Sequence, residues 1–120
     1  SLDASDLTSI GVSRSPAEQA LALAKLAHAE GIGGMVCSAH EVGSLRRALG
    51  QDVVLVTPGI RPTAGAADDQ KRVGTPRGAI QDGATMLVVG RPIRDAAEPR
   101  AAARAIVTEI AEAASAQTLG

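Results

Sequence analysis

With 120 residues there is room for one modest domain, and although 45% of them are hydrophobic, Phe, Tyr and Trp are all absent. The core must therefore be built from Ala, Val, Ile and Leu, and no aromatic ring can stack on a nucleic-acid base. Twelve basic and 13 acidic residues leave a net charge of −1, which supplies no electrostatic attraction to nucleic acid or to a membrane surface, and the single cysteine, Cys37, excludes an internal disulfide and a paired-thiolate metal site.

The chain begins "SLDASDLTSIGV", where Asp3 and Asp6 suit the start of a short turn through the helix dipole. It carries neither an initial Met nor a basic-then-apolar leader, so the sequence is expected to be entered partway through a longer one. Residues 15–30 carry strong helix signals: Ser15 as N-cap, Pro16 in the first turn, Glu18 completing a capping box and Gly31 as the stop. Leu23, Leu26 and Ala27 are expected to form its inward stripe. "GMVCSA", residues 34–39, predicts a short buried strand containing Cys37.

"HEVGSLRRALG" predicts a helix with Val42, Leu45 and Leu49 on one side and Gly50 as its stop. "DVVLVT", residues 52–57, is apolar on both faces, as a parallel strand covered on both sides must be. Thr75-Pro76 open a short helix that Gly83 closes, "TMLVVG" at 85–90 predicts a third strand, and a final helix is expected over about 97–114 with Ile106, Val107 and Ile110 inward. The alternation indicates an α/β fold of about three parallel strands with flanking helices. Three strands cannot close a barrel, so the sheet is expected to be incomplete, with open edges.

Functional groups in parallel α/β folds collect at the C-terminal ends of strands. Arg61, Gln70, Gly90 and Arg91 fall there. Gly90 allows close backbone approach, Arg91 offers a forked cation suited to phosphate oxygens, and Arg61 and Gln70 sit at opposite ends of a loop of small residues. One such strand end alone reads as an ordinary turn with a solvated arginine. Two in successive βα units leave that reading and a phosphate grip both open. His28 is expected on a solvated helix face, His40 at a helix start, Cys37 and Lys25 in packing roles, and Asp95 and Glu98 at the start of the last helix. None of these makes a compelling acid–base pair.

The blocks "VTPGIRP", "DDQKRV" followed by Gly74 and "TP", and "LVVGRPI", together with "SLDASDLTSIGV", "SPAEQ" and "GGMVCSAHE", resemble the bacterial branch of the orotidine 5′-phosphate decarboxylase family over essentially the whole chain. The resemblance implies the C-terminal part of a TIM (βα)8 barrel, with residues 1–120 forming a half-barrel that carries the phosphate loops. It implies conversion of orotidine 5′-monophosphate to UMP and CO2 in pyrimidine synthesis, by a cytoplasmic homodimer that uses no cofactor. Arg61, Gln70, Gly90 and Arg91 would hold the substrate phosphate, and Pro58 would flank the base. The family's catalytic Asp-x-Lys-x-x-Asp array would lie before Ser1, in an N-terminal half-barrel absent from this chain, which alone is then expected to be inactive. "DQKRVG" imitates the array's first two positions with Asp69 and Lys71 but places Gly74 last, and it aligns with the phosphate loop instead. Asp68 and Gly74 depart from the residues common in the family. The alternative is a non-catalytic phosphate-binding half-barrel that self-associates.

Overall fold

A computed structural model describes residues 2–62 and 74–118. Helix α1 (Ala4–Ser9) is closed at its start by a capping box, in which the Asp3 carboxylate accepts from the Ser5 and Asp6 N–H groups and Asp6 returns a bond to the Asp3 N–H. The expected turn is thus a short helix. Helix α2 (Pro16–Ala29) has the predicted Ser15/Glu18 box and Pro at its first position. Strand β1 (Gly34–Val36), helix α3 (Val42–Leu49), strand β2 (Val54–Thr57), helix α4 (Pro76–Gln81) and strand β3 (Met86–Leu87) follow in the predicted order. A four-residue helix, α5 (Arg91–Arg94), then precedes the long α6 (Pro99–Thr118). The sequence reading missed α5, because "RPIR" is too short to show a helical period.

The three strands form one parallel sheet in the order β1-β2-β3, with Val36 opposite Val56 and Val56 opposite Met86. Successive side chains point to opposite faces, so this register sorts them into two sets. On one face Leu55 and Thr57 are fully buried, and Met35, Leu87 and Val89 pack against a core that includes Val42, Leu45, Ala79 and Ile80. Burial of Leu55 alone contributes about 1.5–3 kcal/mol. The other face carries Val36, Val56, Met86 and Val88, and here Val36 is 73% and Met86 57% exposed. The expectation that β1 is buried and β2 covered on both sides is therefore corrected. Among the described residues, helices cover only one face of the sheet.

Two helices turn differently from the predicted stripes. On α2 the buried residue is Ala24, with Leu21 packed beside the core, whereas Leu23 and Leu26 are exposed. The small alanine lets α2 approach closely, and the larger leucines face away. On α6, Ile106 is buried and Ile110 packs against the core as expected, but Val107 is 64% exposed. α6 lies along α4, where the Arg77 N–H donates to Glu109 and its guanidinium pairs with Glu112 at 2.6 Å.

The N-terminal ends of the strands are held by Arg46 from α3. Its guanidinium donates to the carbonyls of Gly50, Val53 and Gly83 and to the Thr85 hydroxyl, all within 3.0 Å. Thr85 in turn accepts from the Leu55 N–H. Gly83 has φ +107°, and a β-carbon there would lie 2.6 Å from Arg46 Cγ. Glycine is required at that position both for its backbone and for the arginine pressed against it.

Candidate anion-binding site

At the opposite, C-terminal end of the sheet, β2 runs into Pro58-Gly59-Ile60-Arg61. Ile60 is buried and anchors this segment, leaving Arg61 exposed beyond it. After β3 the chain reaches Gly90, whose carbonyl accepts from the Ile93 and Arg94 N–H groups and so starts α5. Arg91 is the first residue of that helix.

These two strand ends meet. Arg61, Pro62, Arg91, Pro92, Asp95 and Ala96 line one surface recess of about 530 Å³. Among the described residues neither guanidinium has a hydrogen-bond or ion-pair partner. Two forked cations on one recess, with prolines as stiff walls, favour a doubly charged, multi-oxygen anion.

Of the sequence candidates, the structure brings Arg61 and Arg91 together, whereas Gly90, the N-cap of α5, is not part of the recess lining. Pro58 is exposed and is not part of the recess lining. Gln70 lies outside the described residues, as do Asp68, Asp69 and Lys71. Sequence reasoning missed Pro62, Pro92 and Ala96 as walls, although each neighbours a predicted strand end or helix start.

Asp95 needs correction. It is not at the start of the last helix but caps the C-terminus of α5, and its carboxylate accepts two bonds from Arg94 at 2.6 and 2.9 Å. The neighbouring Arg94 thus offsets the negative charge that Asp95 brings to the recess. Glu98 does stand at the start of α6, its carbonyl accepting from the Ala102 N–H.

The remaining candidates stay apart from the recess. His28, His40 and Lys25 are exposed. Cys37 is buried just beyond β1, its sulfur 3.9 Å from the Thr57 hydroxyl, and burial pushes its thiol pKa up, which disfavours the nucleophilic thiolate. Among the described residues there is no group of three or more His, Cys, Asp or Glu placed to hold a metal ion. Nor is any described helix long and apolar enough to cross a membrane.

Residues 1–106 match the family described as orotidine 5′-phosphate decarboxylase / HUMPS. The chain belongs to that family. Similar curated proteins include the orotidine 5′-phosphate decarboxylase of Gluconobacter oxydans, 57% identical over 113 residues that make up 94% of this chain and 48% of that protein. The one from Neisseria meningitidis is 53% identical over 107 residues, 88% of this chain and 44% of that protein. The crystal structure of the decarboxylase from Lactobacillus acidophilus superposes with a TM-score of 0.75 at 38% identity, covering 91% of this chain and 44% of that one. The Pyrococcus horikoshii enzyme gives 0.63 at 26% identity, covering 78% and 42%. The chain thus spans about half the length of the relatives it matches. Its three-stranded, unclosed parallel sheet is a partial TIM barrel of this decarboxylase family, as the resemblance implied.

Proposed function

We propose that this chain supplies the phosphate grip for decarboxylation of orotidine 5′-monophosphate to UMP and CO2. The observation that carries the reading is the meeting of Arg61 and Arg91, neither guanidinium engaged by a described protein group, on one recess at the C-terminal end of the sheet. In this reading the two guanidinium groups hold the 5′-phosphate, the Gly90 main chain closes on it, Gln70 reaches it from the adjoining segment, and Pro58 flanks the base. The phosphate does not react. Its binding energy can nonetheless be used to hold the pyrimidine where the bond from C6 to the carboxylate carbon breaks, leaving an electron pair on C6 that then takes a proton. The charged residues for that step belong, in this proposal, to sequence outside residues 1–120, which would also cover the open face of Val36, Val56, Met86 and Val88. The complete protein would be a cofactor-independent lyase, a homodimer and cytoplasmic.

Titration of the ¹⁵N-labelled chain with UMP tests this, with uridine as the phosphate-free control. UMP is expected to shift the Arg61 and Arg91 amides, and uridine to leave them unmoved. If uridine moves them equally, or UMP not at all, the grip is elsewhere.

The exposed apolar face favours a second reading, a non-catalytic half-barrel that covers this face by self-association. Sedimentation of the chain tests the second reading. A concentration-dependent mass well above 12.0 kDa supports the second reading, and a monomer at all concentrations removes it.

A further inference from the structure

One residue outside the recess is tied directly to one of its two cations. The main-chain N–H of Arg61 donates to the carbonyl of Gly74 at 2.8 Å. Gly74 has φ +89°, a conformation that L side chains rarely adopt, although a β-carbon there would lie no closer than 3.7 Å to its nearest neighbour, the Gly59 carbonyl oxygen. Among the described residues space is available at this position, and the constraint is the backbone itself.

The next residue, Thr75, is buried and its hydroxyl accepts from the Gly78 N–H, which starts α4. α4 is fastened to α6 through Arg77 with Glu109 and Glu112, and through the Gln117 side chain, which donates to the Ile80 and Gln81 carbonyls. A rigid helix pair, capped by Thr75, therefore begins two residues beyond the carbonyl that holds Arg61.

We infer that Gly74 is a positioning residue for the anion recess. Its left-handed backbone aims its carbonyl at the Arg61 N–H, and this latch carries the rigidity of α4 across to an arginine whose side chain has no anchor among the described residues. The consequence for binding rests on the phosphate reading above, whereas the latch itself does not.

The test uses the 120-residue chain with Gly74→Ala and Gly74→Asn, since asparagine tolerates positive φ far better than alanine. Amide hydrogen exchange at Arg61 is measured without ligand, and UMP affinity by titration. Gly74→Ala is expected to lose protection at Arg61 and to weaken UMP binding about three- to tenfold, with the melting temperature lowered by only about 5 °C. Gly74→Asn should restore most of both. Unchanged Arg61 exchange and UMP affinity in Gly74→Ala would overturn the inference, as would an asparagine variant no better than the alanine one. If Arg61 exchange responds as expected but the unsubstituted chain binds no UMP, the latch stands and the phosphate reading falls.

Discussion

Arginines at the two ends of the same short sheet are used in opposite ways. At the N-terminal end Arg46 is partly buried and engages three carbonyls and a hydroxyl. At the C-terminal end Arg61 and Arg91 are exposed and their guanidinium groups have no described protein partner, although they share a recess. A cation whose donors are already filled by backbone oxygens can hold strands together but cannot bind a ligand. A cation left open costs the fold little and remains available. The division follows the general asymmetry of parallel α/β folds, in which one end of the strands serves stability and the other serves function.

The most severe way to break this comparison is to remove the filled arginine. Arg46→Ala is expected to cost about 2–4 kcal/mol of stability, because it leaves the carbonyls of Val53 and Gly83 short of a charged donor. Gly83→Ala should reproduce much of that loss, since its β-carbon would sit on the Arg46 side chain. The two changes should be far from additive. Denaturant melts of the two single variants and the double variant measure this, and a double variant whose loss equals the sum would show that Gly83 acts independently of the clamp.

Removing an open arginine should do the reverse. Arg91→Ala is expected to leave the melting temperature nearly unchanged while weakening UMP binding by about 1–2 kcal/mol, in line with a charge-assisted contact in a solvent-open recess. Calorimetric titration at low and high salt sharpens the test, since a guanidinium–phosphate contact should weaken as salt rises. An Arg91→Ala chain that binds as tightly as before would take Arg91 out of the site.

Both arginine settings differ in how far the sequence announced them. Arg61 and Arg91 follow apolar runs and stand beside Gly or Pro, so their placement at strand ends was legible. That the two meet on one recess was not, because it depends on the spacing of β2 and β3 in the sheet. Arg46 gave no signal at all. It looked like any polar residue on an amphipathic helix, and its partners are backbone oxygens and a hydroxyl up to 39 residues away. The capping boxes were legible at α2, because Ser and Glu at that spacing have a local physical cause, and element order was legible from hydrophobic period. The inward stripes of α2 and α6 were partly misjudged. The pattern identifies which residues are apolar but not which of them meet a neighbour in a sheet covered on one face, so Leu23, Leu26 and Val107 were placed inside and are exposed. The same limit hid the open face of β1 and β2.

The smallest expected effect concerns the helix starts, which belong to neither arginine setting and so act as a control. The Glu18 carboxyl is held below its ordinary value, first by the Ser15 main-chain N–H and then by the Ser15 hydroxyl, and Asp3 is lowered similarly by the Asp6 N–H and by Ser5. A carboxylate whose folded pKa is depressed adds stability above its unfolded pKa, and that contribution is lost as pH falls through the folded value. Acidification below the ordinary carboxylate range should therefore fray the first turns of α1 and α2. Both caps are fully exposed, so the change should be slight. Glu18→Gln should remove part of the acid-dependent fraying at α2 while leaving the behaviour of α1 and of the Arg46 clamp as it was. Amide exchange resolved by residue between pH 6 and about pH 3 can separate these regions. If the α3 and β2 amides lose protection in step with the first turn of α2, the clamp and the cap are coupled, and the helix starts are not the separate control taken here.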